Sequence, residues 1–179
     1  MAEALSARLW LGRALFALLV LVLIFAELLP LGSGAERGPR PDLPAVLAFA
    51  VLLRRPGLAP VWLLAVLWLL GDMLLQRPPG LWAALLLLVF EFTRDREPRF
   101  RDLAFVLEWG FVALALLAAT LANRLLLALS LSPLPDAGAV MLHYIVTVLA
   151  YPPVVLFCYF ILRIHKPTPD EAFRYGHRP

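Results

Sequence analysis

Residues Leu9–Leu29 read LWLGRALFALLVLVLIFAELL, and Leu103–Leu129 read LAFVLEWGFVALALLAATLANRLLLAL. A helix needs about 20 residues to cross the hydrocarbon core of a bilayer. Both stretches meet that length with few charges, and they set the class of the whole chain. Four further apolar runs follow the same composition: Leu43–Leu53, Leu58–Leu75, Leu81–Phe92 and Ala139–Ile164. The chain is 62% hydrophobic and only 16% charged, with a mean hydropathy of +0.83. Soluble domains carry roughly 25% charged residues. A soluble domain of this size would still expose about a third of its unfolded surface, which this composition cannot supply with polar groups. The reading is an all-α integral membrane protein.

Two runs are short. Leu43–Leu53 has 11 residues and Leu81–Phe92 has 12. At 1.5 Å per residue they cover only about 16–18 Å. Such elements are flanked by snorkelling arginines, lie where the bilayer thins, or re-enter from the same side. Arginine placement favours full crossing. With the N-terminus inside, 12 of the 16 basic residues fall on cytoplasmic pieces and three fall on outer loops. Arg124 lies inside the fifth run. That bias is a strong positive-inside signal, and re-entrant second and fourth runs would weaken it by placing Arg54 and Arg55 outside. The prediction is six transmembrane helices, both termini cytoplasmic, with short helices two and four. Residues 1–165 form the multi-pass domain and 166–179 a polar tail. A cleavable leader ending near Ser33-Gly34-Ala35 is the minor alternative, since the first apolar run is longer than an h-region.

Turn chemistry links the runs. Arg54-Arg55-Pro56-Gly57 reads as an inner turn and Arg77-Pro78-Pro79-Gly80 as an outer one, with proline fixing φ and glycine freeing it. These short connections predict that helices two and three are antiparallel neighbours, and helices three and four likewise.

Ionisable residues inside membrane spans are functional candidates by default. Asp72, Arg124, Glu27 and His143 fall in the outer half, and Glu108 and Glu91 in the inner half. Glu108 and Arg124 are 16 residues apart on one helix, about 160° around it and about 24 Å along it, so they cannot pair. Asp72 or Glu27 is the expected anion for Arg124, with Asp72 preferred. Arg13, Arg94 or Arg163 is expected to serve Glu108 or Glu91. Glu27 and Glu91, close to the ends of their runs, are read mainly as snorkelling groups. His143, Thr147 and Tyr151 recur at steps of four and form one polar stripe. That stripe is either a substrate groove or partner-facing seam, or an internal packing stripe. Pro152-Pro153 follows it and is expected to kink the helix. Arg54, Arg55, Arg94, Arg96, Arg99 and Arg101 are candidate cytoplasmic contacts for anionic lipid or an acidic partner.

Enzyme signals are poor. No Walker A motif, nucleotide-binding glycine loop, G-x-S-x-G or H-E-x-x-H is present. A single cysteine, Cys158, excludes an internal disulfide. His143 has no second histidine or cysteine at ligand spacing, so no metal site is expected. The reading is a protein that is not an enzyme, with no catalytic, cofactor or metal residues and no nucleic-acid partner.

Two segments carry a family resemblance. Arg40-Pro41-Asp42-Leu43 leads through a leucine-rich run to Arg54-Arg55-Pro56, and Gly71-Asp72 leads to Gln76-Arg77-Pro78-Pro79-Gly80-Leu81-Trp82. In that order they resemble the MreD family of rod shape-determining proteins. The Glu91–Arg94 run resembles its alphaproteobacterial branch. The resemblance covers nearly the whole chain in length and order of spans. It implies a bacterial inner-membrane protein of the cell-elongation machinery that partners MreC and, through it, MreB filaments, RodA and a penicillin-binding transpeptidase. It also implies a six-helix bundle similar to the substrate-binding S components of ECF vitamin transporters. The alternative function is therefore the membrane subunit of such a transporter, with a pocket among helices one, five and six. The family supplies no catalytic residues to carry over.

Overall fold

The computed structural model describes the backbone of residues 2–29, 40–100 and 104–160, and their side chains except those of 2–6 and 97–100. Arg101, Arg163, the Ser33-Gly34-Ala35 stretch, the end of the sixth apolar run and the 166–179 tail lie outside the described residues, as does the Arg99 side chain.

Among the described residues there are six α-helices: α1 (Ala2–Leu28), α2 (Leu43–Leu52), α3 (Val61–Leu74), α4 (Leu81–Phe100), α5 (Phe105–Leu129) and α6 (Ala137–Phe160). A 3-10 turn at Pro56–Leu58 joins α2 to α3. The described residues contain no strand. Within α1 the stretch Ala7–Leu28, and the whole of α5 and α6, are long and apolar enough to cross a membrane. The described residues are all helical or irregular, and these three helices mark a membrane protein. α2 and α3 are apolar but shorter, at 10 and 14 residues.

Local chemistry sets the helix ends. The Asp42 carboxylate caps α2, its Oδ1 accepting from the Ala45 N–H at 3.0 Å, and Pro44 occupies the first turn, where no N–H is needed. α3 starts after an extended Pro60. It ends where Gln76 turns left-handed at φ 54° and the Arg77 N–H reaches back to the Asp72 carbonyl at 3.0 Å, the pattern that satisfies a helix's last carbonyls. Gly80, at φ 83°, then lets the chain reverse into α4. α6 runs through Pro152 and Pro153 as one continuous helix.

α1, α3, α4, α5 and α6 are successive neighbours in an arc, and α2 fills its inside against α1, α4 and α6. Every residue of α2 from Pro44 to Leu52 is buried. A helix that is apolar on all sides belongs in a core, and its shortness follows: enclosed by protein, α2 has no need to match a bilayer. Phe90 of α4 seals the centre, with edge-on ring contacts to Phe49 of α2 at 4.9 Å and Trp68 of α3 at 5.1 Å.

Contacts along the helices give their directions. α2 runs parallel to α4, through Asp42–Trp82 and Phe49–Phe90. α1 runs parallel to α3, through Trp10–Trp62 and Ile24–Gly71. α5 and α6 are antiparallel: the Trp109 indole donates to the Val148 carbonyl at 2.9 Å and the Tyr144 hydroxyl to the Ala113 carbonyl at 3.1 Å. Odd-numbered helices thus oppose even-numbered ones.

Two sequence expectations change here. α2 and α3 are not packed neighbours, because α2 is enclosed by α1, α4 and α6 while α3 packs on α1 and α4. The turn between them swings α3 to the outside of the arc. That turn is clamped from both sides: Arg13 Nε donates to the Gly57 carbonyl at 3.1 Å and Arg94 Nη2 to the Ala59 carbonyl at 2.5 Å. α4, in turn, is not short. It continues to Phe100, for 20 residues, past the end of the apolar run, with a Glu91–Arg94 pair at 3.1 Å one turn apart.

Candidate functional site

The buried polar groups collect at the two ends of α2. At its C-terminal end, Arg54 points into the bundle. Its Nη2 meets Glu108 Oε1 of α5 at 2.9 Å, with the two side chains only 6% and 1% exposed. Tyr151 of α6 donates its hydroxyl to the same oxygen at 2.5 Å, and Arg54 Nη1 donates to the Ala50 carbonyl at 3.1 Å. This three-helix knot joins α2, α5 and α6. Phe105 stacks on Tyr151 at 6.1 Å.

The knot corrects two expectations. Glu108 pairs with Arg54 rather than with Arg13 or Arg94, whose side chains serve the α2–α3 turn and, for Arg94, Glu91. Arg54 is also not a surface contact for lipid or partner, whereas Arg55 is exposed. Adjacent residues leaving a helix point in very different directions, so an enclosed helix turns one of two neighbouring arginines inward and the other out.

At the N-terminal end of α2, Asp42 is the hub. Besides capping its own helix, it accepts from Trp82 Nε1 of α4 at 3.2 Å through Oδ2. Its backbone N–H donates to Thr147 Oγ1 of α6 at 3.0 Å. Thr147 donates in turn to the His143 carbonyl at 2.7 Å. His143 Nδ1 lies 2.6 Å from the Arg40 carbonyl; a carbonyl only accepts, which fixes the proton on Nδ1. The His143–Thr147–Tyr151 stripe therefore faces α2 along its length as an internal seam.

Asp72 does not pair with Arg124. Its Oδ2 accepts from the Gly80 and Ala83 N–H groups at 3.1 and 3.0 Å, fixing the start of α4. Arg124 donates to the Pro135 carbonyl at 3.3 Å in the exposed α5–α6 connection. The reason is topological: α5 packs on α4 and α6, and α4 stands between it and α3. Thr120, one turn before Arg124, bonds back to the Leu116 carbonyl.

Glu27 lies 4.0 Å from Arg77 and borders a cleft with Asp42, Asp72, Trp68 and Trp82. The cleft holds about 20 Å³, room for about one water. Glu91 is more exposed, at 41% of its side chain. No group of three potential ligands gathers among the described residues, and Cys158 is buried.

The Asp42 hub was partly legible: an aspartate directly before an apolar run is a helix-start signal. Its partner Trp82, 40 residues on, carries no such mark. Comparison with known protein families, curated proteins and solved structures gives no match.

Proposed function

We propose that the chain is a non-enzymatic, multi-pass scaffold of the bacterial inner membrane, of the MreD type. It crosses six times with both termini cytoplasmic, and supports rod shape and lateral peptidoglycan synthesis by holding MreC. MreB, RodA and a penicillin-binding transpeptidase belong to the wider complex. The observation that carries this reading is the use made of the buried polar groups. Arg54, Glu108, Tyr151, Asp42, Thr147 and Asp72 bind helices to one another or cap them. A bundle whose internal polarity is structural, and whose outer helix faces are apolar, acts by what it packs against. The order of the Pro-Asp, Arg-Arg-Pro and Gly-Asp motifs supports the family assignment.

Affinity purification from native membranes is expected to bring down MreC, and depletion in a rod-shaped host to round the cells. Normal rods after clean depletion, with no MreC retained, would sink the proposal. The topology has its own test. In a Cys158→Ser background, Gly57→Cys is expected to react only with reagent reaching the cytoplasm, and Ala137→Cys only from outside. Labelling of Gly57→Cys from outside overturns the six-span arrangement.

A further inference from the structure

We propose that the corner formed by the start of α1, the Pro56–Leu58 turn and the start of α3 binds the phosphodiester headgroup of an anionic phospholipid. Two exposed indoles frame it: Trp10 and Trp62, 58% and 52% exposed, have ring centroids 6.2 Å apart. The Arg13 guanidinium lies over the Trp10 ring at 5.1 Å and holds the Gly57 carbonyl through Nε. Its terminal nitrogens make no bond to the described residues. Arg55 is exposed and stands two residues from Gly57, within about 7 Å along the backbone. No carboxylate among the described residues pairs with either arginine.

Three other described arginines at this end are engaged, while Arg8, near the start of α1, is exposed. Arg54 is buried with Glu108, Arg94 holds Glu91 and Ala59, and Arg96 lies over the Phe92 ring. Exposed Leu9, Leu11 and Val61 border the corner, so its two cations sit at an apolar margin. Indoles prefer that margin, where one edge is wet and the ring is not. A phosphate between Arg13 and Arg55, with its glycerol and acyl chains along the indoles, matches both chemistries. A soluble anion matches only the first. The cytoplasmic position of the corner rests on the topology proposed above, but lipid retention does not.

The test uses full-length protein purified in detergent, with bound lipid measured by native mass spectrometry. Phosphatidylglycerol is expected to be retained over phosphatidylcholine. Arg55→Gln, which removes no bond within the described protein, is expected to weaken that retention about fivefold, the usual effect of one basic residue at a membrane surface. Trp62→Leu is expected to weaken it further. Arg96→Gln makes the same charge change elsewhere at this end and is expected to leave retention unchanged. Equal loss from Arg96→Gln, or equal retention of the two lipids, overturns the site. Displacement of the lipid by millimolar inorganic phosphate would make it a simple anion site and overturn the lipid assignment. So would an Arg55→Gln protein that keeps its lipid but loses MreC, because the corner would then face a protein. Failure of MreC to co-purify with the parent chain bears on the scaffold alone.

Discussion

Arg54→Leu is expected to destabilise the protein by about 3–5 kcal/mol, the usual consequence of removing one partner of a buried ion pair. The loss is not mainly the pair's own energy. It is the cost of leaving the Glu108 carboxylate, 1% exposed, without its cation in a low-dielectric interior. Removing both charges therefore helps. Arg54→Leu with Glu108→Leu is expected to recover at least half of the loss. Adding Tyr151→Phe, which deletes the hydroxyl left without an acceptor, returns the midpoint to within about 1 kcal/mol of the parent. Thermal melting of the four proteins in one detergent reads the series. A neutral Arg54→Leu, or a triple variant no better than the single one, would show that the knot does not hold α2, α5 and α6 together.

Asp42→Ala is the second large effect, expected at about 2–5 kcal/mol. The capping bond to Ala45 contributes about 1–2 kcal/mol. The Trp82 indole N–H left without an acceptor contributes about 1–3 kcal/mol. The two are separable by a mutant cycle. Trp82→Phe removes the donor rather than stranding it. In that background Asp42→Ala is expected to cost only the capping contribution. An undiminished loss there would mean that the Asp42–Trp82 bond contributes nothing and that Asp42 serves its own helix alone.

Hydropathy located the helices well because burial in lipid or in a bundle core demands unbroken apolar sequence, and all six runs correspond to helices. It misjudged α4, since the helix runs on past Phe92 after the apolar residues stop, and hydropathy does not see a charged helical turn. It also misread the meaning of a short run. Leu43–Leu53 contains no polar residue at all, a composition shared by lipid-facing spans and core helices alike, so only the packing shows that α2 is surrounded by protein. Partners of the buried charges were the least legible part. Asp72 and Arg124 were expected at one depth, yet depth says nothing about which helices touch. Arg54 and Arg55 are identical neighbours in sequence, and only the packing of α2 decides that the first meets Glu108 and the second meets the surroundings. The stripe at His143, Thr147 and Tyr151 was visible from its spacing; what it faced was not.

The central position of α2 also sets an order of events. Its N-terminal end is tied to Thr147, 105 residues later in the chain, and its C-terminal end to Glu108 and Tyr151. At a synthesis rate of about 5–20 residues per second, Asp42 exists for about 5–20 s before Thr147 does. During that interval α2 lacks the α6 contacts that later enclose it. The helix at the heart of the molecule is made second and finished last.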